Sequence, residues 1–207
     1  MAETFELFPT PVQRVSAVLA PSEAQALARR LCATAVVAND HSGELAHTRI
    51  LGPGDDAALP ELAARLGPHV QAFGALLFGE TLRWLVKELW VNVLGEGGRQ
   101  ALHNHANCFV SGVLYLSESD ESARTVFLRG LGGNDFAFRN AHEGVTPGRF
   151  PAETWIAPAP APGDLLLFPS YLLHEVPVNR GGQRVTLAFN AIPHRLEAWG
   201  YGVSFEP

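Results

Sequence analysis

Five side chains in this sequence have types and spacing that could do chemistry together. His103 and His105 open the stretch "LHNHANCFVSGVLYL", His174 lies in "FPSYLLHEVPVN", and Arg184 and Thr186 lie in "RVTLAFN". Imidazole is a common ligand for first-row transition metals. If residues 103–105 continue a strand, i and i+2 point to one face and the two rings stand side by side. Among eight histidines in 207 residues, one such pair is a weak signal, and the distal His174 strengthens it. Arg184 falls in an otherwise apolar strand pattern, where an unpaired charge is costly. A ligand carboxylate fits its planar fork. A structural salt bridge, or an edge strand open to solvent, is the alternative. His41, His47, His69, His142 and His194 have no partners at ligand spacing and are expected at the surface. Cys108 reads as a small buried residue rather than a ligand.

The elements that must position these residues are mostly strands. "LRWLVKELWVNVL" (82–94), "FVSGVLYLS" (109–117), "TVFLR" (125–129), "DLLLFP" (164–169), "QRVTLAFNAI" (183–192) and "YGVSF" (201–205) are rich in β-branched and aromatic residues. Glycine-rich turns separate them. Ahead of them, 21–37 reads as a helix capped by Ser22. A second helical stripe runs over 57–78, with Gly67-Pro68 predicting a kink or two shorter helices. Early helices followed by many short strands predict a mainly β chain with N-terminal helices: a jelly roll, cupin-like in architecture, with a helical buttress over about 20–80 and a β core over about 81–205. No boundary divides 1–207, so one domain is expected. Residues 144–163 read as a long surface loop. The segment 130–160, with Phe136, Phe138, Arg139, Arg149 and Trp155, is the candidate lid.

Bulk properties exclude some partners. A formal charge of −6 argues against nucleic acid and anionic membranes, which need clustered basic residues. No apolar run is long enough to span a bilayer, and "MAETFELFPTPV" lacks the pattern of a signal peptide. Two cysteines, Cys32 and Cys108, without CxxC spacing suggest reduced thiols and a cytoplasmic location.

"LFPTPV" (7–12), "LWVNVL" (89–94), "HNHANCFVSGVLYL" (103–116) and "GDLLLFPSYLLHEVPVN…RVTLAFN" (163–190) together resemble the 2-oxoglutarate/Fe(II)-dependent oxygenases, in particular a bacterial and phage branch. The resemblance is strong at 89–116 and 163–190 and weak between them. Ala106 stands where the branch often has proline. The resemblance implies a double-stranded β-helix with iron at its mouth. His103 and His174 match the usual histidine ligands, and His105 falls where most relatives carry Asp or Glu. Arg184 and Thr186 match the residues that hold the distal carboxylate of 2-oxoglutarate. Tyr115 could hydrogen-bond the keto acid or be a core tyrosine with a satisfied hydroxyl; Asn92 and Asn107 are candidates of the same kind. Asn190 reads as structural.

With His105 as third ligand, the metal would keep the usual number of side-chain donors, which argues against halogenation and for hydroxylation with O2. Three neutral imidazoles do not offset the metal's charge, so Glu88, Glu96, Asp135, Glu143 or Glu175 would compensate from nearby or take the place of His105. The implied substrate is a small molecule, an amino acid or a peptide side chain. Two other readings stay open: a cupin-like three-histidine metal dioxygenase that does not use 2-oxoglutarate, and a non-enzymatic jelly-roll binding module.

Overall fold

The computed structural model describes residues 2–6, 8–35, 37–38, 44–130, 142–145, 148 and 152–206. Its elements run β1 (Gln13–Val15), α1 (Pro21–Cys32), β2 (Val37–Ala38), β3 (Leu45–His47), α2 (Leu59–Phe78), β4 (Trp84–Leu94), β5 (Gln100–His103) and β6 (Val110–Tyr115). They continue with β7 (Val126–Leu128), β8 (Thr154–Ile156), β9 (Leu165–Pro169), β10 (His174–Val176), β11 (Arg184–Pro193), β12 (Arg195–Ala198) and β13 (Tyr201–Ser204). A seven-stranded sheet has the order β1-β9-β6-β11-β4-β3-β2, and a four-stranded sheet the order β5-β10-β7-β8. β12 and β13 form a separate hairpin. The pairings are antiparallel, and the fold is the double-stranded β-helix of the jelly-roll class.

Strand alternation gives the large sheet two faces of different character. On the outer face Val91, Leu187, Leu114 and Leu165 lie in one cross-strand row. They pack with Leu27 and Leu31 of α1 and Leu66 and Phe73 of α2 in the main core. Gly112 belongs to this face because the Phe189 ring covers it; a Cβ there would lie 2.2 Å from that ring. The inner face carries three further rows. Asn92, Thr186 and Tyr115 oppose one another, then Trp90, Ala188, Val113 and Leu166, then Glu88, Asn190, Ser111 and Phe168. A smaller core of Tyr115, Phe127, Leu166 and Phe168 joins the two sheets.

Several local expectations change. The first helix starts on Ala20 rather than Ser22: Pro21 occupies the first turn, and Glu23 reaches back to the Ala20 amide at 2.8 Å. It ends at Cys32. α2 runs through Gly67-Pro68 as one element of 20 residues, held by its stripe of Leu62, Leu66, Val70 and Phe73 in the core. Tertiary burial outweighs the hydrogen bond that proline removes. The expected surface loop 144–163 contains β8, which pairs with β7. Among the described residues, no helix is long and apolar enough to cross a membrane.

Asp164 fastens the N-terminal strand to the sheet. Its carboxylate accepts from Arg14 Nε at 2.9 Å and from the amides of Ala17 and Ala161 at 3.0 and 2.9 Å. Burial pushes its pKa up, but these hydrogen bonds and the guanidinium outweigh burial and hold it below the ordinary value.

Candidate metal centre and keto-acid pocket

His103 is the last residue of β5 and directly opposes His174, the first of β10. His105 is not on the strand. It lies in the connection to β6, where its amide donates to Ser170 O at 3.0 Å and the chain turns through Asn107 at φ 58°. The same-face argument for His-x-His therefore does not apply as stated, and Asn107 is an exposed turn residue. The Ser170 tether nevertheless returns the His105 ring to the other two. Their possible ligand atoms all lie within 4.8 Å of one another, and the Nε2 atoms of His105 and His174 are 3.3 Å apart.

Two of the rings have their tautomer set by the backbone. His103 Nδ1 donates to Ala101 O at 2.8 Å and His174 Nδ1 to Leu172 O at 2.9 Å, which leaves each Nε2 unprotonated, an acceptor able to serve as a metal ligand. Burial lowers all three pKa values. His174 falls to about 3, with repulsion from His103 adding to burial, and His105 to about 4 for the same two reasons, partly opposed by the Glu88 charge. The cluster is therefore neutral at pH 7, the protonation state a metal requires. Phe168 packs edge-on to His174 with ring centroids 4.7 Å apart, and Trp90 lies 5.8 Å from His105.

Arg184 and Thr186 lie on the inner face of β11, as their spacing predicts. Arg184 is buried, and its Nε has no hydrogen-bond partner among the described residues. Its guanidinium carbon stands 5.2 Å from the Tyr115 ring centre. Thr186 sits between Asn92 and Tyr115 in one row, and all three are buried. The Tyr115 hydroxyl lies 3.2 Å from Thr125 Oγ1, so the core-tyrosine alternative accounts for its polar atom. A carboxylate on this face would meet a positive fork, a hydroxyl and an amide.

Some residues were missed or misread in the sequence. Gln100 Nε2 lies 3.2 Å from His103 Nε2. Three residues before His103, Gln100 has the wrong parity for that face; a bulge, with three steps of β5 against two of β10, brings it round. Asn190 makes the structural hydrogen bonds expected of it, its Nδ2 donating to Glu88 Oε2 at 2.7 Å, and the same nitrogen also lies 3.4 Å from His105 Nδ1, which was not foreseen. Continuing the Arg184–Thr186 alternation to 190 would have found it. Burial raises the pKa of Glu88, but the Asn190 and Lys87 contacts outweigh it and keep the carboxyl below its ordinary value. His47, expected at the surface, is half-buried opposite Asn92. His194 also has an enclosed Nε2.

Glu96, Glu143 and Glu175 do not join the cluster, which among the described residues consists of the three histidines. Cys108 is half-buried with its thiol 3.7 Å from His105 O. Of the lid candidates, Trp155 is exposed and 5.9 Å from the Phe127 ring. Phe136, Phe138, Arg139 and Arg149, together with Asp135 and His41, lie outside the described residues.

Residues 88–190 match the model of a family described as "Putative 2OG-Fe(II) oxygenase". No curated protein sequence matches the chain. Solved structures of similar fold include a 2OG-Fe(II) oxygenase family oxidoreductase from Burkholderia pseudomallei, at 14% identity and TM-score 0.60, covering 87% of this chain and 84% of that one. HygX from Streptomyces hygroscopicus, with nickel, 2-oxoglutarate and hygromycin B bound, is 15% identical at TM-score 0.60, with 89% and 83% covered. A prolyl-4-hydroxylase from Pseudomonas putida is 20% identical at TM-score 0.54, with 87% and 92% covered.

Proposed function

The chain belongs to the 2-oxoglutarate/Fe(II)-dependent oxygenase superfamily, and we propose that it hydroxylates a small molecule, an amino acid or a peptide side chain at a three-histidine iron centre. His103, His105 and His174 hold the metal through their converging nitrogens, and Arg184 with Thr186 holds the distal carboxylate of 2-oxoglutarate. The observation that carries this reading is the buried Arg184, whose Nε has no partner among the described residues, on the same inner face that leads to the histidines. Such a group is costly unless a ligand pairs with it.

Bound iron and 2-oxoglutarate would supply the redox chemistry: O2 is the oxidant, oxidative decarboxylation of the keto acid to succinate and CO2 gives two of the four electrons it takes, and the substrate gives the other two. The chain's own part is placement. The three neutral imidazoles would hold the metal as side-chain donors and leave positions for the keto acid and O2. The Tyr115 ring supports the guanidinium, and Asn92 adds an amide beside Thr186. Trp90, Phe168 and Leu166 line the space between with apolar surface, which limits water near the reacting atoms. Trp155, beside Phe127, offers an exposed aromatic surface for the substrate's approach.

A cupin-like three-histidine dioxygenase would share the metal ligands but has no use for Arg184. The two readings separate in anaerobic titrations of the Fe(II)-loaded chain. A 2-oxoglutarate enzyme develops a visible charge-transfer band on adding the keto acid, and on exposure to O2 releases succinate and CO2 in equal amounts. Fe(II) binding with no spectral change and no succinate would sink the keto-acid reading.

A further inference from the structure

The nitrogen that His103 would offer to a metal accepts a hydrogen bond in this structure. Its ring proton is on Nδ1, which donates to Ala101 O at 2.8 Å, so Nε2 is an acceptor. The Gln100 amide nitrogen lies 3.2 Å from that Nε2. An amide NH2 group donates, so the two atoms pair with no conflict of protons. A metal held by His103 takes the same lone pair. Gln100 and the metal therefore exclude each other at this atom, and loading the site must release the amide.

Where the amide can go is limited by its backbone. The turn before β5 is fixed: the Gly97 amide donates to Asn179 O and the Asn179 amide to Gly98 O, both at 2.7 Å. The buried Asn179 side chain adds a bond to Gly95 O at 3.0 Å. Gln100 itself pairs with Val176 of β10. Its release is thus a rotation of a half-buried side chain and not a shift of the strand. The same pairing sets the direction. His103 opposes His174 and Gln100 opposes Val176, so Gln100 lies further along β10 than the metal ligands. Val176 shares a small core cluster with Leu94, and Leu94 is the cross-strand partner of Arg184. Gln100 is therefore on the Arg184 side of the histidines, the side on which the keto acid lies when Arg184 holds its distal end.

We infer that the Gln100 amide has two alternating partners: His103 Nε2 before the metal binds, and the metal-bound C1 carboxylate of 2-oxoglutarate afterwards. This rests on the metal and keto-acid reading above, and adds a donor for the end of the keto acid that Arg184 and Thr186 do not reach. The exchange couples the two ligands. Metal binding breaks one hydrogen bond of the amide, and the keto acid restores one to a charged acceptor, which is the stronger kind.

The test measures both affinities without turnover. Co(II) binding is followed by calorimetry and by the visible bands of the bound ion, for the wild type, Gln100→Leu and Gln100→Glu. 2-Oxoglutarate is then titrated into each Co(II)-loaded chain. Gln100→Leu removes the competing donor and should bind Co(II) about 2- to 12-fold more tightly, the net worth of one hydrogen bond. The same variant should bind 2-oxoglutarate about 10- to 150-fold more weakly, because the bond then lost is to a carboxylate. Gln100→Glu keeps the shape, and its negative charge should likewise strengthen metal binding and weaken keto-acid binding. A side chain that merely packs the site would shift both affinities the same way, or neither. Any outcome for Gln100→Leu other than opposite shifts overturns the inference and leaves the three-histidine centre standing; if that variant does not fold, Gln100→Glu decides by the same criterion. A wild-type chain that binds no Co(II), or binds it and then takes up no 2-oxoglutarate, overturns the iron and keto-acid reading itself, and the inference with it.

Discussion

Replacing Arg184 with methionine separates a ligand-binding arginine from a structural one. The residue is 4% exposed and its Nε has no hydrogen-bond partner among the described residues. Exchanging a buried charged group for an apolar one of similar volume is often neutral or stabilising. Without ligand, the melting temperature of Arg184→Met should therefore stay level or rise. With ligand the sign reverses. Removing one partner of a buried, hydrogen-bonded charge pair costs about 2–5 kcal/mol, or roughly 30- to 4,000-fold in affinity for 2-oxoglutarate. At a ligand concentration of about 100 times Kd the wild type gains about 2.7 kcal/mol. For a chain of this length that is a rise of roughly 5–11 °C. At the same concentration the variant should gain about 3 °C or less. Thermal melts of the chain loaded with Ni(II) or Mn(II), with and without 2-oxoglutarate, measure both effects. A variant that keeps the full ligand-induced rise refutes the assignment. A variant that loses many degrees without ligand revives the structural salt bridge.

Two other predictions concern the turn that feeds β9. Gly163 adopts φ 93°, and a Cβ there would lie 2.0 Å from the Leu19 carbonyl oxygen. Gly163→Ala should cost about 1–3 kcal/mol from the backbone conformation alone, lowering the melting temperature by roughly 2–12 °C; an unchanged melt would mean the turn relaxes freely. Asp164 titrates below its ordinary value when folded, so it contributes stability that is complete above the unfolded value of about 3.9. That contribution is lost as pH falls through the folded pKa. Urea midpoints measured from pH 7 downward should fall less steeply below about pH 4 for Asp164→Asn than for wild type, from a lower starting point at pH 7; identical acid limbs would contradict the reasoning.

Much of the fold was legible because burial follows strand periodicity. The long strands β4, β6, β9 and β11 announce themselves by apolar and β-branched runs, and their parity put Arg184, Thr186 and Tyr115 on one face. The short strands β5, β8 and β10 did not, because three or four residues carry too little pattern to separate from a loop. The site was legible in its residue types more than in its geometry. His103 and His174 meet because β5 and β10 pair, a long-range contact that no local spacing encodes. His105 arrives through a backbone tether to Ser170 rather than through strand alternation. Gln100 depends on a bulge, which breaks the period-two rule that sequence reasoning relies on.

The two-faced character of β11 bears on which changes of length the chain can absorb. Its residues alternate between the helix-packed core and the candidate site over Arg184–Asn190. Inserting or deleting one residue there would exchange the two sets, sending Leu187 and Phe189 towards the cavity and Thr186 and Asn190 into the helices. The connection 104–109 is fixed near both ends, by the His105 amide on Ser170 O at 3.0 Å and the Phe109 amide on Ala191 O at 3.1 Å. Length variation should thus be forbidden along β11, where it would re-register the sheet, while beside His105 an added residue would have only to fit between those two hydrogen bonds.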